Sequence, residues 1–276
     1  MTRRLPVWTV TRHAVLIAGA LVILMPFIWM ISTASKPQTE IFSSHLHLIP
    51  EHFALWDNLR AAFAKADLWR FLLNGLIVTV SVFTLQLLVA LPAAYALAKL
   101  RFLGRDTLFA LVVFCILIPP QATAIPVFLL LHKLGLLDSY AALILPFSIS
   151  VFGIFLMRQF FKTVPDDLID AARMDGISEF GIVWRVMLPT AIPAVTAFGI
   201  FSVVAHWNDY FWPLIVLNSE YLRTPPLGVA NFRNNEAGTD YGPLMAAAMV
   251  VIAPLVIAFL LAQRRFIEGI TMTGIK

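Results

Sequence analysis

Charge is what this 276-residue sequence has least of: 13% of its residues are Asp, Glu, Lys or Arg, against 60% that are hydrophobic. A soluble chain carries about 25% charged residues around one or two compact cores. A chain this poor in charge is solvated by lipid. Cysteine is nearly absent, and the lone Cys115 excludes an intramolecular disulfide; its apolar setting points to a packing role. No run of short segments alternates polar and apolar residues, which argues against a membrane β-barrel. No glycine-rich phosphate loop of the Walker kind occurs, so nucleotide hydrolysis is not expected on this chain. There is no platform of interleaved aromatic and basic residues. The net charge of +4 therefore carries no nucleic-acid inference.

What is present is six uncharged windows, at 13–35, 71–98, 107–132, 139–157, 186–208 and 241–263. A hydrocarbon core of ~30 Å needs roughly 20 helical residues, and these windows supply them. Helix is the expected form, because an open strand in lipid leaves backbone N–H and C=O groups unpaired. Pro26, Pro92, Pro126 and Pro254 predict kinks, and the pair Pro119 and Pro120 predicts a break in the third span. The first window is too long for a cleavable signal core of about 7–15 residues. The sequence is read as all-α, a polytopic membrane protein of six transmembrane helices forming one domain over 1–276.

Lys and Arg cluster in alternate loops, beside Arg3, Arg4 and Arg12, Lys99 to Arg105, Arg158 to Arg185, and Arg264, Arg265 and Lys276. Loops that keep Lys and Arg stay in the cytoplasm. Both termini are thereby expected inside, in the bacterial inner membrane.

Two longer polar segments lie on opposite sides, 158–189 inside and 218–242 outside. The inner one reads as helix, turn, helix. Thr163 and Asp166 have capping-box spacing, Pro165 suits a first turn, and Asp166 and Asp167 complement the helix dipole. Gly176 suits the left-handed end of a helix, and Ser178 can cap the next. Ala171 and Ala172, flanked by Asp170 and Asp175, leave a bare surface. That surface is either a docking knob or part of a hairpin lying on the membrane face.

Polar groups at membrane depth usually face a bundle interior or an aqueous path. His206, Asn208 and Asp209, at the outer end of the fifth window, are candidates to line such a path or simply to end the helix in an aromatic belt. The outer segment, with Pro225, Pro226, Gly228 and Asn231, is expected to be a shaped loop with little helix. His45, His47, Glu51 and His52 have metal-ligand chemistry but no framework to make them converge, so no metal site is expected.

Asp170-Ala171-Ala172, then Asp175-Gly176, then hydrophobic Ile182 and Val186 and finally Leu188-Pro189, resembles the "EAA" loop of permease subunits of ATP-binding-cassette importers. Patches at 26–32, 93–98, 207–213 and 263–271 extend the resemblance to nearly the whole chain. They narrow it to carbohydrate-uptake permeases of the maltose type, in particular the smaller subunit. The resemblance implies the type I importer permease fold and no catalysis on this chain. It implies a partner ATPase pair carrying ATP and Mg, a second permease subunit and an extracytoplasmic solute-binding protein. Asp170, Ala171, Ala172, Asp175 and Gly176 would form the coupling helix that sits in the ATPase, with Asp170 replacing the usual Glu and reaching one methylene less far. By the same resemblance the tail at 269–276 enters the ATPase dimer, and the outer segment enters the binding protein. The cargo would be a sugar or sugar-like solute, including polyols and glycerol-phosphate esters. The alternative class, a secondary transporter or channel subunit, calls for intramembrane carboxylates or inverted repeats, and neither is visible.

Overall fold

The computed structural model describes residues 7–43, 47–230, 232 and 239–271. Its main helices are α1 (Val7–Ala34), α2 (Leu55–Lys65), α3 (Leu68–Lys99), α4 (Arg105–Ile116), α5 (Ala124–Lys133), α6 (Tyr140–Ile144), α7 (Val151–Phe161), α8 (Asp166–Met174), α9 (Glu179–Ile182), α10 (Ile192–Trp207), α11 (Phe211–Val216), α12 (Pro225–Ala230) and α13 (Tyr241–Thr271). Among the described residues there are no strands. The chain divides into two compact units, one of residues 1–68 with 229–253, the other of 69–228 with 254–276.

Three helices are long and apolar enough to cross a bilayer unbroken: Thr11–Ala34, Leu68–Lys99 and Tyr241–Leu261. Three further spans are bent helix pairs. Arg105–Ile116 and Pro120–Lys133 meet at 96°, Tyr140–Phe147 and Val151–Phe161 at 40°, and Glu179–Thr190 and Ile192–Trp207 at 83°. The first break falls at the expected Pro119 and Pro120, where no N–H is available to continue the ladder. The third has a related cause. Pro189 and Pro193 remove the donors that would have reached the carbonyls of Arg185 and Pro189, and the backbone widens into a π turn at Val183–Met187 before it bends.

In the first unit, α1 exposes large apolar side chains such as Val15, Leu21, Val22 and Ile23. Such a surface suits lipid or another helix. The carbonyls that α1 leaves open at its end are met by buried Asn58 of α2, whose amide donates to Ala34 O and Lys36 O, both at 2.8 Å. The predicted helix in the first long loop is α2. The Glu40 carboxylate accepts the backbone N–H groups of Glu51 and His52 at 2.9 and 3.2 Å, which holds it below the usual carboxylate range. The histidine-rich stretch is thus organised by hydrogen bonds around Glu40. His47 sits 3.7 Å from Glu51, and His45 lies outside the described residues.

The second unit is built around α3, which runs through two apolar clusters. Near its C-terminal end, Leu91, Ala94 and Tyr95 pack with Met157, Phe161, Ile169, Ile182 and Met187. Nearer its start, Val78 and Val82 pack with Leu131, Leu143, Trp212 and Leu227. Two buried amides on the same helix are paired, since an unpaired one away from water is costly, whereas the buried Thr79 hydroxyl has no hydrogen-bond partner among the described residues. Asn74, 1% exposed, donates to Tyr221 O and Arg223 O at 2.8 and 2.9 Å and accepts Tyr140 OH at 2.6 Å. Gln86 donates to Phe147 O at 2.9 Å and accepts Ser202 OH at 2.7 Å.

The segment 218–242 departs from the expected loop. It carries α12, and that helix is pressed onto α3. Pro225 and Gly228 are buried within this chain, so neither is an exposed contact position as the sequence suggested; Pro226 is half-buried and Asn231 lies outside the described residues. The reason is steric. At Gly75 of α3 a methyl group would sit 2.6 Å from the Pro225 ring carbons, and one at Gly228 would run into the Phe71 ring. Two glycines therefore let two helices touch backbone to side chain. Asp138, at φ 53, fastens the start of the segment by accepting the N–H groups of Asn218 and Ser219 at 3.0 and 2.9 Å.

Candidate functional site

The inner polar segment folds as the expected hairpin of α8 and α9. Thr163 does not cap it, because its hydroxyl turns back to Phe160 O at 2.7 Å and the helix starts after Pro165. The turn follows the sequence expectation. Gly176 has φ 76, its N–H donates to Arg173 O, and Ile177 N–H donates to Ala172 O, both at 3.0 Å. These two bonds are a Schellman closure. Ser178 then accepts Gly181 N–H at 3.2 Å and starts α9. A β-branched residue at Gly176 meets open space but a disfavoured backbone. Gly176→Val is expected to lower hairpin stability by about 1–2 kcal/mol, read as faster proteolytic nicking at 173–178 in membranes; unchanged nicking would remove the turn's dependence on glycine.

One face of the hairpin is fixed to the end of α3. Ile169, Ala172, Ile182 and Val183 are buried with Tyr95 and Phe161. Ala172 is 5% exposed, which corrects the expectation that it presents a bare surface: it is small because the hairpin closes on itself there. Asp170, Ala171, Asp175 and Gly176 are exposed. Arg173 joins the two arms, bonding Asp170 at 3.0 Å and Glu179 at 2.8 Å, and Tyr95 of α3 donates to the other Glu179 oxygen at 2.5 Å. The Arg173 guanidinium, and then the Tyr95 hydroxyl, hold the Glu179 carboxyl below its usual range. Lys99, the last residue of α3, donates to Val164 O and to Asp166, both at 2.6 Å.

The opposite face has apolar side chains that the sequence reading passed over. Leu168, Met174 and Phe180 are 47, 88 and 65% exposed. Periodicity could not have found Leu168, which stands four residues before buried Ala172 and so on its side of the helix; Met174 lies at the helix end, where no fold contact is expected.

A second feature is a cleft of about 580 Å³ in the second unit, beside the broken third span. Gln121, Ser150, Phe152, His206, Asp209 and Phe211 are among the residues lining it. Of the three path candidates, it brings together His206 and Asp209. Asn208 is not among the lining residues; its amide donates back to Val204 O at 2.9 Å on its own helix. His206 Nδ1 lies 2.7 Å from Ser202 O, and its ring meets Phe147 edge to face at 5.3 Å. Asp209 Oδ1 accepts Trp212 N–H at 3.2 Å and so helps start α11. Sequence alone offered no reason to join these to Gln121 and Ser150, which come from two other spans.

Comparison with known proteins fits this geometry. Residues 86–271 match the family "Binding-protein-dependent transport system inner membrane component". The chain is 35% identical to the arabinooligosaccharides transport system permease protein AraQ of Halalkalibacterium halodurans, over 93% of this chain and 92% of that one. It is 30% identical to the sn-glycerol-3-phosphate transport system permease protein UgpE of Escherichia coli, over 98% of both. Its fold matches a chain in the crystal structure of a bacterial ABC transporter involved in the import of the acidic polysaccharide alginate. The TM-score is 0.83 at 25% identity, covering 96% of this chain and 99% of that one.

Proposed function

Because this chain belongs to the family of binding-protein-dependent transport system inner membrane components, we propose that its α8–α9 hairpin is where a separate ATPase drives the membrane spans. The chain is a multi-pass membrane permease subunit of an ABC importer, as its relatives are. The cargo is a sugar or sugar derivative. Its relatives' names cover arabino-oligosaccharides, a glycerol phosphate and alginate, all rich in hydroxyl groups. ATP and Mg belong to the partner ATPase pair, and a second permease subunit completes the path. The Lys and Arg distribution supports cytoplasmic termini and a cytoplasmic hairpin. On the other side, exposed Tyr221 and half-buried Pro226 are open to a solute-binding protein.

The observation that carries the coupling role is the hairpin's two-sidedness: one face is bonded to α3, and the other holds Leu168, Met174 and Phe180 outward. Apolar side chains held out from a polar segment mark a protein interface. Nucleotide-driven closure of the ATPase would then move the hairpin as a rigid piece and shift the spans between inward-open and outward-open arrangements. Met174→Asp tests this. Burying a methionine is worth about 1.5–3 kcal/mol, so tagged Met174→Asp is expected to retain the ATPase subunit at least about tenfold less well during purification. ATPase recovered at the wild-type ratio would exclude Met174 from the contact.

A further inference from the structure

We infer that the cleft beside the broken third span is a solute subsite on this chain, built for an uncharged polyhydroxylated solute and selective against phosphorylated or carboxylated ones. The inference rests on the importer reading. Irregular backbone within a span is tolerated where it lines an aqueous cavity. Here the Pro120–Thr123 turn at the 96° break contributes to the cleft wall. The volume of about 580 Å³ lies within the ~300–1,000 Å³ of small-molecule sites.

His206 and Asp209 offer acceptors, and Gln121 and Ser150 can donate as well as accept. The Ser202 carbonyl only accepts, so at 2.7 Å His206 Nδ1 donates to it and Nε2 is left for a solute hydroxyl. The Asp209 carboxyl accepts Trp212 N–H at one oxygen and leaves the other to the cleft. Gln121 adds an exposed amide. Sugar hydroxyls supply the donors such a set needs. Phe152 and Phe211, 37 and 44% exposed, offer apolar ring faces to the C–H face of a sugar ring. Among the described residues no Lys or Arg lines the cleft, whereas Asp209 does. An anionic solute would find no cation to pair with there.

The test uses the complete importer with its binding protein in proteoliposomes, supplied with labelled arabinobiose, maltose, sn-glycerol 3-phosphate and galacturonate. Uptake is expected only for the uncharged sugars. Asp209→Asn keeps an acceptor for Trp212 N–H, and Gln121→Ala breaks no internal bond; each is expected to raise KM for sugar uptake about tenfold, with the ATPase still co-purifying. Uptake confined to the charged solutes would overturn the subsite while leaving the importer reading intact. Unchanged KM in both variants, or a fall in maximal rate alone, would overturn it as well. No uptake of any of the four solutes, together with no ATPase subunit co-purifying, would overturn both.

Discussion

Replacing Arg173 with Glu is expected to cut uptake by the assembled importer at least about tenfold while the chain still inserts in the membrane. Arg173 lies between Asp170 at 3.0 Å and Glu179 at 2.8 Å, and Glu179 is in turn held by Tyr95 on α3. Charge reversal gathers three carboxylates at one turn. As stability terms the lost pairs are small, about 0–1 kcal/mol each for exposed groups. Their weight lies in position, because they fix the hairpin's register on α3, which takes part in both apolar clusters of the unit. A misplacement costing about 1.4 kcal/mol in the productive arrangement is already tenfold. Arg173→Lys keeps the charge but loses the planar fork that spans two carboxylates, and an intermediate rate is expected. The measurement is initial uptake rate per amount of chain in the membrane. Wild-type uptake by Arg173→Glu would show that this ion network positions nothing.

The largest effect on the fold is expected from Gly228→Leu. A side chain there has no room against Phe71, and the neighbouring contact between Pro225 and Gly75 prevents α12 from shifting away. Overpacking typically costs about 1–3 kcal/mol, more where rigid rings block relaxation. Taking about 3 kcal/mol here, at about 2–4 °C per kcal/mol for chains of this size, a fall of roughly 6–12 °C in melting temperature in detergent is expected. Gly19→Leu is the control, since nothing lies within 4 Å of the position its Cβ would take. If both variants melt alike, the seat of α12 on α3 is looser than the packing implies.

The spans were legible because lipid imposes one rule on every residue within it, and a run without charge records that rule directly. The hairpin turn was legible for a similar reason: Gly176 and Ser178 answer local backbone needs that a few neighbouring residues settle. Three things were not. Ala172 reads as a bare surface until Ile182 and Tyr95 are seen closing over it. Pro225 and Gly228 read as loop formers, because their partners Gly75 and Phe71 are about 150 residues earlier in the chain. Thr163 has the spacing of a cap but a nearer acceptor in Phe160. In each case the deciding contact is tertiary or competes with the local motif, and neither is visible in spacing. Likewise, His206 and Asp209 could be singled out by depth, but the cleft that gives them company is assembled from four spans.

The wide turn at Val183–Met187, with Pro189 and Pro193 after it, has a mechanical consequence. A straight helix bends only by lengthening rungs of its ladder, whereas at this elbow the rungs to Arg185 and Pro189 were never formed. The hairpin and α10 are therefore two stiff arms joined at a place already cut. Ala191 N–H still bridges the elbow, to Met187 O and Leu188 O at 3.0 and 3.1 Å, so the 83° bend is held by fewer helical bonds than an unbroken span and needs less to change its angle.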